Sequence, residues 1–260
     1  MNSKKEIPFI KLILIDIDGC LNNQEIGTPL DLETLQHLQK LSLKARKKQP
    51  YPKITLNTGR YLNYAEVYSE ILGIDDFFIF EMGNAIAKCD GPIIKVKKHP
   101  SLTKKMLEQN HTFQVGFLEK FPQYEKYFQK YKQFMTTFIF KTDSEVLKSC
   151  ASDIEDYRDR KGFTFRIDRG HNFINILHKG IDKGTGFSFL MEQYPAIKAE
   201  EVATIGDSRS DWDFMQHSGF KACPSNGSKF LRKKCDMVSS KSEARGTLEI
   251  LKKIILNNRD

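Results

Sequence analysis

The strongest constraint on the fold is Lys11 to Ile17, a continuous apolar run that closes on acidic residues. A run with no polar alternate face reads as a strand buried on both sides, the kind found in parallel sheets. Ile54 to Asn57 and Phe77 to Glu81 repeat the signal, with helical patterns between them. The first helix is expected to start at Thr28-Pro29, with Thr as cap and Pro at its first position. It places Leu32, Leu35 and Leu38 on one face and runs to about Lys48. The second covers about Tyr61 to Leu72, with Gly73 placed to stop it. This βαβαβ order implies a parallel sheet with right-handed crossovers.

From Ala85 the rhythm changes. Ala85 to Lys88 and Ile93 to Lys97 flank Cys89-Asp90-Gly91-Pro92 and read as a hairpin. Leu118 to Phe134 reads as a long aromatic helix, Thr136 to Lys141 as a strand and Ser144 to Arg160 as a helix. Phe163 to Ile167 and Phe173 to Leu177 read as paired strands. Runs of this kind suggest an antiparallel sheet with helices on one face. After Gly180 the parallel rhythm returns: a helix over Thr185 to Gln193, a strand over Val202 to Ile205, a helix over Asp211 to His217 and a short strand over Phe220 to Cys223. A last helix lies near Arg245 to Leu256. The expected architecture is a doubly wound, Rossmann-like α/β core, residues 1–84 and 181–260, carrying an inserted α+β domain, residues 85–180.

Composition narrows the class. Nineteen Phe and nine Tyr argue against disorder, and no apolar run approaches the roughly 18 residues of a membrane span. The five cysteines are odd in number and show no C-x-x-C spacing. That disfavours a disulfide framework or a structural zinc and suits a reducing, cytoplasmic setting.

Four short motifs fall at the C-terminal ends of the expected core strands, where open α/β sheets place their ligand crevice. Asp16-Ile17-Asp18-Gly19 offers two carboxylates, one as nucleophile and one as general acid and base. Asn57-Thr58-Gly59-Arg60 offers a hydroxyl and backbone N–H groups at a helix start, an anion site. Lys183, opening a helix after Asp182, can set an ammonium against a phosphate oxygen. Gly206-Asp207-Ser208-Arg209-Ser210-Asp211 supplies carboxylates suited to a hard cation. Taken singly, each motif is also met as a solvated turn, an N-cap or a surface lysine. Their order along one sheet is far more specific.

With these motifs in this order, the sequence resembles the haloacid dehalogenase-like superfamily of phosphohydrolases. The branch it most resembles is the Cof-type, sucrose-phosphate phosphatase-like one, whose α/β cap is inserted between the second and third motifs. The tail segments Cys223-Pro224-Ser225-Asn226-Gly227 and Glu243-Ala244-Arg245-Gly246 also look like that family's. The resemblance implies a Mg²⁺-dependent hydrolysis of a small phosphorylated metabolite, a sugar phosphate by preference, through an aspartyl-phosphate. Asp16 would attack phosphorus, and Asp18 would protonate the leaving alcohol and then activate water. Thr58, Gly59 and Arg60 would hold the phosphate, and Lys183 would neutralise it. Mg²⁺ would lie on Asp16, Asp207 and the Asp18 carbonyl, with Asp211 supporting it through water. Cys20, Met82 and Ser210 depart from the residues common in relatives, whereas every charged catalytic position is present.

Candidate substrate contacts in the inserted domain are Arg166, Arg169, His171, Asn172 and Asn175. The solvated face of a strand is the plainer reading of such alternation. The stripe Phe117, Phe121, Tyr124, Tyr127, Phe128 and Tyr131 is expected to pack the domain core at helical spacing. Two other functions share the fold: a phosphomannomutase-like phosphotransferase, and a non-catalytic anion- or nucleic-acid-binding protein. The second is motivated by the net charge of +8. That charge is uneven, however, with 17 basic against 10 acidic residues in 91–180, so it points first to a small anionic substrate.

Overall fold

The computed structural model describes residues 6–23, 27–46, 51–141 and 144–259. They divide into two compact units, one formed by Met1–Lys97 with Lys183–Asp260 and the other by Lys98–Asp182.

The first unit is built on five parallel strands: β1 (Leu12–Ile15), β2 (Lys53–Leu56), β9 (Val202–Ile205), β10 (Phe220–Cys223) and β11 (Met237–Val238). Their order is β11-β10-β9-β1-β2. β1 is central and wholly buried, which is why its sequence shows no polar alternate. Leu12 and Leu14 join a core with Phe187, Leu190, Phe214 and Leu231. Those partners lie on or beside α5 (Lys183–Met191), α6 (Trp212–Met215) and α7 (Lys229–Lys234). Ile13 and Ile15 point to the opposite face, because successive side chains of a strand alternate.

α1 (Leu32–Ala45) packs on α2 (Leu62–Leu72) and on α8 (Glu243–Asn257). The cap of α1 is Asp31, whose carboxylate accepts from the Thr34 amide at 3.1 Å, rather than Thr28. The helix starts at Leu32 and ends at Ala45, and the expected end near Lys48 lies outside the described residues. Gly73 closes α2 at φ 63°, a left-handed position that glycine takes without a Cβ penalty.

β3 (Phe78–Phe80) meets β2 only through the bridge Asn57↔Ile79. Its ladder runs antiparallel to β4 (Ala85–Asp90), followed by β5 (Ile93–Lys98), in a separate three-stranded sheet. The hairpin therefore belongs to the first unit, and the second begins at Lys98 rather than at residue 85, because β4 is bonded to a core strand.

Gly186 of α5 is where this subsheet's turn comes closest. A Cβ there would lie 2.5 Å from the Gly83 Cα. Gly186→Ala should destabilise the protein by about 1–3 kcal/mol despite alanine's better helix propensity, as overpacking against backbone does. Urea unfolding checks this, and an unchanged midpoint would contradict the packing.

In the second unit, β6 (Thr136–Ile139), β7 (Arg166–Arg169) and β8 (Phe173–Leu177) form an antiparallel sheet in the order β6-β8-β7. α3 (Lys104–Lys120) and α4 (Glu145–Lys161) contribute Phe113, Phe117, Leu147, Ile154 and Tyr157 to one core with Phe138, Ile174 and Ile176. The helix expected over Leu118 to Phe134 instead lies earlier. Thr103 caps it, accepting from the Met106 amide at 3.2 Å, and it stops before Pro122, which opens a 3₁₀ turn, Pro122–Tyr127. The aromatic stripe is accordingly not a helical one. Phe117 and Tyr124 are buried, and Phe121, Tyr127 and Phe128 pack against the same core, but Tyr131 is 73% exposed.

Candidate active site

Three loops leave one end of the parallel sheet side by side. Ladder bonds continue past the strands, from the Asp16 amide to the Ile205 carbonyl at 2.9 Å and from the Asn57 amide to the Ile15 carbonyl at 3.0 Å. This register sets the segments after β1, β2 and β9 next to one another. The side-chain amide of Asn57 donates to the Lys183 carbonyl at 3.1 Å and ties the start of α5 to the same end.

Lys183 is the hub. Its ammonium lies 2.9 Å from Asp16 Oδ1 and 2.6 Å from Asp211 Oδ1. Asp16, Asp207 and Asp211 are buried, and one carboxylate oxygen of each lies within 4.8 Å of the others. Burial pushes the Asp16 carboxyl up to about 7, and Asp211 and Asp18 add to the rise while Lys183 opposes it. Burial likewise pushes Asp207 up to about 9, helped by the charges of Asp211 and Asp16. For Lys183 burial acts the other way, but Asp16 and Asp211 outweigh it and hold the ammonium charged. The cluster thus sets three carboxylates against one ammonium, a charge deficit that a cation would relieve.

Asp211 is fixed by its second oxygen, which accepts from the Asp207 amide at 3.0 Å, the Ser208 amide at 2.8 Å and the Ser208 hydroxyl at 2.9 Å. It therefore serves as the third residue of a capping box headed by Ser208, and it stands at the N-cap position of α6 without a side-chain cap bond there. The Ser210 hydroxyl contacts that of Ser208 at 2.9 Å.

Thr58 is fully buried. Its amide donates to Ile79, its carbonyl accepts from Met82, and its hydroxyl oxygen accepts from the Arg60 amide, each at 3.1 Å. Met82 has φ 58° and ψ 33°, a left-handed conformation in which Asn is tolerated better than Met. Asn84 does a different job, donating from its side chain to the Glu81 carbonyl at 2.6 Å.

Arg60 and Asp18 form a two-pronged pair, Nε to Oδ2 and Nη2 to Oδ1, both 2.7 Å. The Arg60 side chain therefore binds a carboxylate where the sequence led us to expect a phosphate. The Asp18 carboxylate also stands apart from the three-carboxylate group.

Of the residues singled out in the second unit, Arg166 and Asn175 share one face of its sheet, together with Asp168 and Thr137. Thr137 donates to Asn175 Oδ1 at 2.7 Å. Arg169 pairs with Ile174 and so points to the opposite face. His171 and Asn172 lie in the turn between β7 and β8, where the Asn172 carbonyl accepts from Phe140 at 2.7 Å.

Several residues far along the chain support the site, and of these sequence reading named only Asn226, within the tail segment Cys223 to Gly227. Asn226 donates to the Gly19 carbonyl at 2.9 Å, the Thr247 hydroxyl to the Cys20 carbonyl at 2.7 Å, and the Ser228 amide to the Asp207 carbonyl at 2.7 Å. Cys20 itself is fully buried, in keeping with a structural place. All five cysteines are free, and among the described residues no helix is long and apolar enough to cross a membrane.

A family model described as haloacid dehalogenase-like hydrolase matches residues 99–251, which include Lys183, Asp207 and Asp211. A phosphoglycolate phosphatase of Staphylothermus marinus is 26% identical over 250 residues, covering 95% of this chain and 98% of that protein. One from Thermoplasma volcanium is 26% identical over 235 residues, covering 90% and 93%. In fold, the chain is similar to a Thermoplasma acidophilum protein, with TM-score 0.71 and 21% identity over 95% of this chain and 99% of that one. It is also similar to the sucrose-phosphatase of Synechocystis solved with sucrose and phosphate, with TM-score 0.63 and 16% identity over 94% and 97%.

Proposed function

The chain belongs to the haloacid dehalogenase-like hydrolase family, and from that premise we propose that it is a Mg²⁺-dependent phosphohydrolase of small phosphate monoesters. The observation that carries the reading is Lys183 held between Asp16 and Asp211 beside Asp207. Phosphoglycolate is the first substrate to test, because relatives aligned end to end bear that activity in their names; sugar phosphates come second.

The donor set suits Mg²⁺. Three buried carboxylates are hard oxygen ligands, and Asp16 Oδ1 receives no properly directed hydrogen bond despite its closeness to Lys183. Asp16, Asp207 and the Asp18 carbonyl would hold the ion, with Asp211 behind its waters. The bound ion would offset negative charge on the phosphoryl oxygens and on Asp16.

The chain's own groups then divide the work. An Asp16 carboxylate oxygen bonds to phosphorus as the ester P–O bond breaks, and Asp18 gives its proton to the departing alkoxide. Water next attacks phosphorus and yields a proton to Asp18 as the acyl-phosphate bond breaks, which frees phosphate and restores Asp16. Lys183 and the Thr58–Gly59 segment steady the transferring group, since phosphoryl transfer needs chiefly positioning and charge stabilisation. The unit running from Lys98 to Asp182 is the substrate-selecting cap in this reading, with Arg166 and Asn175 on one sheet face as its candidate contacts.

Phosphate release from p-nitrophenyl phosphate, phosphoglycolate and a sugar-phosphate panel, with Mg²⁺ or EDTA, tests the proposal. Release that needs Mg²⁺ is expected. Transfer to a sugar acceptor in place of release would favour a phosphotransferase. The excess of basic residues in 91–180 adds a further expectation: kcat/KM should fall as salt rises, because steering of an anionic substrate is screened over a Debye length. A flat salt profile would mean that the charge merely solvates the surface.

A further inference from the structure

We propose that Arg60 is a positioning residue for Asp18, holding its carboxylate for the water-activating half of the cycle; this rests on the phosphohydrolase reading above.

The sequence places Arg60 after Thr58-Gly59, where a phosphate contact is the natural expectation. The side chain instead crosses from the loop after β2 to the loop after β1. Its fork donates to both Asp18 oxygens at 2.7 Å. The guanidinium in turn lies over the Tyr64 ring, 4.5 Å from its centroid. Tyr64 sits on α2, and its hydroxyl donates to the Asn22 carboxamide oxygen at 3.0 Å. The Asn22 carbonyl accepts from the Gly19 amide at 3.0 Å, and Asn22 bridges back to Asp18. Asp18, Arg60, Tyr64, Asn22 and Gly19 thus form a closed ring that joins the two loops.

Chemistry and geometry limit what this ring is for. A fork that donates to both oxygens of a carboxylate gives bidentate orientation that a lysine cannot match. Each oxygen has a second lone pair left for a water proton. The oxygens of Asp16, Asp207 and Asp211 converge without the Asp18 carboxylate. A carboxylate so engaged keeps one orientation, and in the cycle proposed above it is the group that accepts a proton. In the proposed cycle that happens when water attacks the Asp16 acyl-phosphate: the water O–P bond forms, the Asp16 O–P bond breaks, and the water proton passes to Asp18.

The test is pre-steady-state hydrolysis of p-nitrophenyl phosphate with Mg²⁺ by wild type, Arg60→Ala and Arg60→Lys. Arg60→Ala should slow the second half of the cycle by about 100-fold, the lower end of what a positioned general base contributes. A burst approaching one p-nitrophenol per enzyme should then precede slow turnover. kcat and KM should fall together and leave kcat/KM nearly unchanged. Arg60→Lys, which keeps the charge but not the fork, should fall between. Tyr64→Leu, which removes the platform and spares the pair, should show the same pattern more weakly and serves if Arg60→Ala does not fold. Loss of kcat/KM in step with kcat, without a burst, would overturn the positioning role while leaving the phosphohydrolase intact. Absence of any turnover by the wild type would overturn both.

Discussion

Asp16→Asn is expected to lower kcat for any phosphate ester by about 10⁴-fold or more, the scale on which removing a catalytic nucleophile acts. The variant should fold, since Lys183 keeps its 2.6 Å contact to Asp211. It should in fact gain stability near neutral pH in EDTA, because one of the buried carboxylates that burial and like charges raise to about 7 is gone. Loss of activity with a raised unfolding midpoint separates a missing nucleophile from a damaged fold. Activity within tenfold of wild type would remove Asp16 from the chemistry.

Lys183→Met carries the largest expected effect on stability. Breaking a buried ion pair by removing one partner leaves uncompensated charge and costs about 3–5 kcal/mol. Here Asp16 and Asp211 would both lose the ammonium that lies within 3 Å of each. The sign with pH follows from the carboxyls. Asp16 and Asp207 sit at about 7 and about 9 in the folded protein, against 3.8 unfolded. The unfolded chain therefore releases those protons first, and the metal-free fold loses stability as pH rises from about 4 to about 9. Thermal unfolding in EDTA should show this slope in the wild type and more steeply in Lys183→Met. Mg²⁺ should raise the midpoint most at the alkaline end, because a ligand stabilises the state that binds it. A metal-free midpoint that is flat or rises over that range would contradict the buried-carboxylate picture.

Much of this was legible in the sequence because it is local. β1 and β9 announce themselves as apolar runs; Asp16, Asp18, Thr58, Asp207 and Asp211 follow the ends of β1, β2 and β9, whereas Lys183 opens α5 and follows no strand of that sheet. Local patterns misled where two signals competed. The aromatic spacing across Phe117 to Tyr131 resembles a helix, yet Pro122 ends α3 and the rings reach the same core through a 3₁₀ turn. Thr28-Pro29 looks like a helix start, but Asp31 offers the better acceptor three residues on. Other features depend on distant parts of the chain. Arg60 faces Asp18 only because β1 and β2 are neighbours, and Asn226 and Thr247 reach the first loop from the far end of the sequence. The left-handed turn spans Glu81, Met82 and Gly83, and of these only Gly83 marks it in the sequence.

The central claim is that Asp16 becomes covalently phosphorylated during turnover. Quenching the wild type with borohydride while it hydrolyses p-nitrophenyl phosphate, then mapping peptides by mass spectrometry, reads this out, because reduction of an aspartyl-phosphate leaves homoserine. Homoserine at residue 16, absent without substrate and greater in Arg60→Ala, is the predicted result. Continued phosphate release with Asp16 left unmodified, or homoserine at another carboxylate, would contradict the account.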